Sequence, residues 1–312
     1  MFNSTKVMIS ACVEQLQNGY HCIYGTLQPN YAKLIDSVTN LILGNLAKSD
    51  APYHNLEHTV LVTLTGQEIL RGKHLSEGGI GVYREDWLNF IISLLCHDIG
   101  YVKGVCRQDK VNQSLYTTGV DNVMLTLPPG STDASLTPYH VDRGKLFVAE
   151  NFSGHPLIDV AVIKRNIELT RFPVPSAQEY QDTHNYPGLA RAADLLGQLS
   201  DPCYLKKIVG LFDEFEEIGT NKTLGYHHPQ DLCSGLPNFY RNQVYPYIQE
   251  AMQYLQVTPE GRQILANLYA NLQQVSPERH QKPTHHYVGK DSTPQGLKKI
   301  EPKTKVALGC SG

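Results

Sequence analysis

The stretch EDWLNFIISLLCHDIG, residues 85–100, restricts the fold more than any other part of the chain. From Trp87 to Cys96 it carries apolar residues on every helical face, and a helix with no polar side has to be enclosed by other elements. Asp86 reads as its N-cap and Gly100 as its stop. His97 and Asp98 therefore fall at the end of a buried helix, where polar groups need partners.

The rest of the chain supplies helices to enclose it. Leu34, Ile35, Val38, Leu41, Ile42 and Leu46 recur at helical spacing and stop before KSDAPYHN, whose Pro52 interrupts regular structure. A second pattern runs from His58 to Leu70, and others lie in HVDRGKLFVAENF, PLIDVAVIKRNIEL, YPGLARAADLLGQLS, DPCYLKKIVGLFDEFEEIG, NFYRNQVYPYIQEAMQYL and TPEGRQILANLYANLQQV. Pro187 and Thr258-Pro259-Glu260 mark two helix starts. Residues 107–139, rich in Gly, Ser, Thr, Asp and Pro, read mostly as an excursion over the surface. No strand-and-helix alternation or internal repeat is visible. The expectation is one all-α multi-helix domain over residues 1–275, followed by a disordered, mildly basic tail over 276–312 that lacks apolar periodicity.

With 312 residues and 41% hydrophobic content the chain can bury a full core. A net charge of -3 provides no global basic field, so no double-stranded nucleic acid partner is expected. Seven scattered cysteines without C-x-x-C spacing suit a reducing compartment. The N-terminal stretch lacks a basic start followed by an apolar run, and no segment reaches about eighteen uninterrupted apolar residues. A cytoplasmic protein without a membrane partner is expected.

Within PYHNLEHT, His54 and His58 stand four apart, so that in a helix both imidazoles would share a face. Asp194 lies among Ala190, Ala192, Ala193, Leu195 and Leu196, where an unpaired carboxylate would cost several kcal/mol. Imidazole nitrogen with carboxylate oxygen suits zinc, iron or manganese, and the lack of thiolate argues against a purely structural zinc site. The competing reading is a polar cluster satisfied without metal.

The order YHNLEH, then HD, then an Asp in an Ala/Leu-rich helix resembles the HD-domain superfamily of metal-dependent phosphohydrolases. YHNLEHT is especially similar to the signature of class I cyclic-nucleotide phosphodiesterases, and the motif core covers about residues 50–200. The resemblance implies an HD/PDEase-like helical fold in which His58, His97, Asp98 and Asp194 ligate one divalent ion (Mn, Fe, Mg or Zn). It further implies that Asp98 bridges to a second ion, and that His54 protonates the leaving oxygen of a small phosphorylated substrate, a nucleotide or cyclic nucleotide first, attacked by metal-activated hydroxide. Where the cyclic-nucleotide enzymes carry a further histidine after the HD pair, HDIGYVKG has Tyr101. The purine-gripping glutamine has no residue-level match, so the chemistry is carried over and the substrate is not.

His140 is a candidate extra ligand or phosphate contact, against a helix-start histidine of no special role. Lys103, Arg107, Arg143 and Arg171 could meet a phosphate, but each singly reads as a surface residue. Cys96 reads as core packing. The acidic run FDEFEEIG reads as a solvated face with Phe212 and Phe215 inward. Two rival functions stay open: an HD-fold di-iron oxygenase completed by His140 and His155, and a regulatory module without turnover.

Overall fold

The computed structural model describes residues 3–275; the reading of residues 276–312 as a disordered tail lies outside the described residues. The fold is all-α. Helix α1 (Ser4–Tyr24), which the sequence reading left unassigned, is capped by the Asn3 side chain and followed by α2 (Pro29–Leu46), α3 (Leu56–Ser76) and α4 (Arg84–Cys96). Next come α5 (His140–Phe152), α6 (Val160–Glu168), α7 (Tyr186–Leu199), α8 (Tyr204–Glu217), the short α9 (Thr220–Leu224), α10 (Pro229–Phe239), α11 (Tyr245–Leu255) and α12 (Pro259–Val275). No helix among the described residues is long and apolar enough to cross a membrane.

Helix α4 is the centre of the core, with every residue from Trp87 to Cys96 buried. Each of its large apolar side chains contributes about 1.5–3 kcal/mol by leaving water. The helix begins one turn earlier than expected. Tyr83 is its N-cap, and Asp86 lies with Glu85 in the first turn, where negative charge faces the positive end of the helix dipole. It ends at Cys96 rather than Gly100, with His97 as C-cap, and residues 99–101 form a tight 3-10 turn.

Two close approaches set the site. On α7, a Cβ at Gly197 would lie 2.7 Å from the Val62 Cα, so this glycine lets α7 press against the backbone of α3. In the turn after α4, a Cβ at Gly100 would lie within 1.9 Å of the His140 carbonyl oxygen. Gly100 is therefore required for contact rather than as a helix stop, and it brings the start of α5 onto the His97-Asp98 corner.

The excursion over residues 107–139 is more ordered than its composition suggests. It holds a two-stranded antiparallel hairpin, β1 (Leu115–Thr117) with β2 (Met124–Thr126), in which Tyr116 faces Leu125. A 3-10 helix over Asp133–Tyr139 follows. Tyr116, Leu127 and Leu136 form a small apolar cluster separate from the main core. The scattered apolar residues collect only once the chain turns back.

Candidate metal centre

His58 lies in the first turn of α3, whose N-cap Asn55 accepts the Glu57 and His58 N–H groups. His97 caps α4, Asp98 opens the following turn, and Asp194 projects from α7. These four side chains converge. The Nε2 atoms of His58 and His97 are 3.3 Å apart, and each lies 3.2 Å from Asp98 Oδ2. Asp194 Oδ1 is 3.3 Å from His58 Nε2 and 3.7 Å from His97 Nε2.

A cation fits this arrangement. Four donors each about 2.1 Å from a tetrahedral ion stand about 3.4 Å from one another, and five of the six pairs among these donors run from 3.2 to 3.7 Å. Without an ion the cluster is poorly served. Asp98 Oδ2 is buried and makes no directed hydrogen bond despite its two near neighbours. His97 Nδ1 donates to the Leu94 carbonyl at 2.6 Å, which leaves Nε2 to turn a lone pair toward the centre. The His/Asp cluster can thus hold a metal ion.

The local fields follow from the same geometry. Burial favours neutral His58, but its contacts with Asp194 and Asp98 outweigh this and push its pKa up to about 10. Burial likewise opposes charge on His97, and neighbouring Asp98 overrides it, raising the pKa. For Asp98, burial pushes upward, yet His97 and His58 hold it well below the usual carboxylate range. The site has the character of an anionic pocket closed by cationic partners.

His54 is not on α3; it precedes the N-cap Asn55, so the shared helical face expected for His54 and His58 does not form. The two rings nevertheless meet, with centroids 5.3 Å apart. What positions His54 is Glu214 of α8. Its Oε2 lies 2.5 Å from His54 Nδ1, while its Oε1 accepts the backbone N–H groups of Tyr53 at 2.7 Å and His54 at 2.9 Å. Burial works against the charged imidazole, but Glu214 prevails and the His54 pKa is raised. The acidic run is therefore not solvated throughout, since Glu214 is buried. The signal was present: Tyr204, Ile208 and Leu211 step along the buried face of α8, and Glu214 continues the row.

His140 Nδ1 donates to the Thr137 carbonyl at 2.6 Å, and its Nε2 lies 3.9 Å from Asp98 Oδ1. Tyr101 stacks on both His54, at 4.8 Å between centroids, and His140, at 4.5 Å. His155 does not join this group; it is exposed in the turn after α5, where its Nδ1 accepts the Leu157 N–H. Cys96 is buried in the core, and desolvation pushes its thiol up.

The four cations all have partners. Lys103 bridges Asp50 and Asp133, Arg107 bonds Glu150, and Arg171 bonds Glu168 and Asp142. Arg143 departs furthest from expectation. It is fully buried and paired with Asp109, so it is neither a surface residue nor a phosphate contact.

No curated protein matches the chain. Residues 2–278, which include every helix among the described residues and every residue of the His/Asp centre, match a family model, and the chain accordingly belongs to the Npun_R2479-like family.

Proposed function

We propose that this chain is an HD-type, metal-dependent phosphohydrolase that cleaves a phosphoester of a small molecule, with nucleotides and cyclic nucleotides as the first substrate class to test. The observation that carries the reading is the juxtaposition of a four-donor His/Asp centre with a histidine held by a buried carboxylate. His58, His97, Asp98 and Asp194 would hold the divalent ion. Such an ion supplies Lewis acidity toward a phosphoryl oxygen and a nucleophile at neutral pH.

The chain's own residues supply the proton. Glu214 occupies Nδ1 of His54 and favours the charged ring, so that the Nε2 proton would serve a departing alkoxide. The two backbone N–H groups on Oε1 lock the Glu214 carboxylate, and with it the ring orientation. His140, with its Nδ1 proton on Thr137, presents a bare Nε2 on the Asp98 side of the site, suited to orienting water or a phosphate-bound proton.

The test separates the two histidines of PYHNLEHT. His58→Ala should lose metal. His54→Ala should keep metal and lose turnover by roughly 10²- to 10⁴-fold on a substrate with an alkoxide leaving group. On a p-nitrophenyl phosphodiester, whose phenolate leaves without a proton, the same variant should be far less impaired. Equal impairment on both substrates would remove the acid role from His54. Wild-type protein that retains no metal would remove the reading altogether.

A further inference from the structure

We propose that Tyr101 is a positioning residue for the acid role of His54, and that it passes to this imidazole the rigidity of the buried Arg143 cluster. The inference rests on the acid reading above and concerns what aims the proton. Two torsions set a histidine ring, and the outer one has a broad energy profile. The bond from His54 Nδ1 to Glu214 restrains them through a single contact, and a hydrogen bond keeps much of its strength over about 30° of bending. Glu214 therefore sets where Nδ1 points but leaves the plane of the ring, and with it the direction of Nε2, less well fixed.

Tyr101 supplies the missing plane. Among the described residues it is the aromatic ring that lies parallel to His54, at 6° and 4.8 Å between centroids, a stacked pair. Tyr53 and His58 meet the same imidazole at 77° and 73°. A flat face against the ring opposes tilting, whereas the bond to Glu214 opposes displacement of Nδ1. Together the two contacts fix Nε2, the atom that carries the proton.

A positioning ring has to be immobile itself, and Tyr101 is. It is buried, and its N–H donates to the Asp98 carbonyl at 3.0 Å. Arg143 donates through Nε to the Gly100 carbonyl at 2.6 Å and through Nη2 to the Val102 carbonyl at 3.0 Å, so the residues before and after Tyr101 are both gripped by one buried guanidinium. The phenol also stacks on His140, at 23° and 4.5 Å, and His140 is held in turn by its Nδ1 bond to the Thr137 carbonyl. The constraint thus runs from Arg143 through the backbone to Tyr101 and from its ring face to His54. Tyr101 acts through His54 and not on the substrate.

The experiment uses the full chain and two readouts. In metal-free protein with carbon-13-labelled histidine, the His54 Cε1–H signal, assigned by its loss in His54→Ala, should be shifted upfield by the ring current of Tyr101. Tyr101→Leu should lose that shift, and Tyr101→Phe, which keeps the ring face, should restore it. In Mn²⁺-loaded protein, Tyr101→Leu should keep the wild-type metal content and lose roughly 10- to 100-fold in turnover of a cyclic nucleotide, which opens to an alkoxide, the range for a misaimed reacting group. It should lose far less on bis(p-nitrophenyl) phosphate, and Tyr101→Phe should recover the cyclic-nucleotide turnover. Adding Tyr101→Leu to His54→Ala should cost nothing further, because the two substitutions remove one function. If Tyr101→Leu does not fold by circular dichroism, Tyr101→Met, which also lacks a flat face, is judged by the same criteria. An unshifted His54 signal in the wild type would overturn the inference, as would equal loss on both esters or additive losses in the double variant. His54→Ala equally impaired on both esters would instead overturn the acid reading, and the inference with it.

Discussion

Two buried charged clusters flank the turn that follows α4, and they are built on opposite terms. Around Arg143, all five guanidinium N–H groups are used: on the carbonyls of Gly100, Val102 and Thr117 and on both oxygens of Asp109. Asp109 in turn accepts the backbone N–H groups of Gly104 and Thr117. That cluster closes on itself. The His/Asp centre does not, because Asp98 Oδ2 is left without a directed hydrogen bond between two imidazoles. Buried polar groups are satisfied as a rule, so a closed cluster reads as structure and an open one as a place for something else. The two are also linked: the Arg143 clamp grips the carbonyls of the turn that carries Asp98 and Tyr101.

The comparison can be broken most directly at Arg143. Arg143→Met should leave Asp109 buried and unpaired and cost about 3–5 kcal/mol in urea unfolding, with much of the loss recovered when Asp109→Leu is added. A cost near zero would show that the clamp is not what holds the turn. The next effect concerns the open cluster. Chelation should lower the stability of the loaded protein by about 2.7 kcal/mol where the free metal stood at a hundred times its Kd, while Asp98→Ala or His97→Ala should retain no metal and show no response to chelator. A variant with full metal content would exclude that residue from the ligand set.

A smaller change is expected at Glu214. Glu214→Gln should keep the metal and the fold but reduce turnover roughly 10- to 100-fold, the range for a group that orients a functional histidine from behind. Loss of metal would place His54 among the ligands. The smallest effect lies at the surface, where Glu168 joins Lys145, Arg171 and Tyr180. Burial pushes its pKa up, but the bonds from Arg171, Lys145 and Tyr180 bring it down from 4.5 to about 2. Its stabilising share is therefore present above about pH 4.5 and lost as the pH falls toward 2, and Glu168→Gln should flatten that limb of the pH–stability curve.

The helices were largely legible because apolar periodicity is a local property. Residues 140–152, 186–199 and 259–275 fold as helices where their patterns and prolines placed them. Helix ends were less legible. Asp86 offers a cap in sequence, yet the apolar demand of Trp87 and its neighbours is met by starting the helix at Arg84. Residues 107–139 were the least legible, since Tyr116, Leu127 and Leu136 become a cluster only after the hairpin folds back.

At the site, the sequence by itself identified the residue types and their order: His54, His58, the His97-Asp98 pair and Asp194, each polar in a context where polarity needs a reason. The tertiary structure alone decided which of them meet, and with what. His58 and Asp194 are brought together by the approach of α3 and α7 at Gly197, and His140 reaches Asp98 through Gly100. Glu214 looked like one member of an acidic run, and Arg143 like a surface cation. Their partners, His54 and Asp109, lie far away in the chain, and an electrostatic role is a property of a pair in space, which a one-dimensional pattern does not contain.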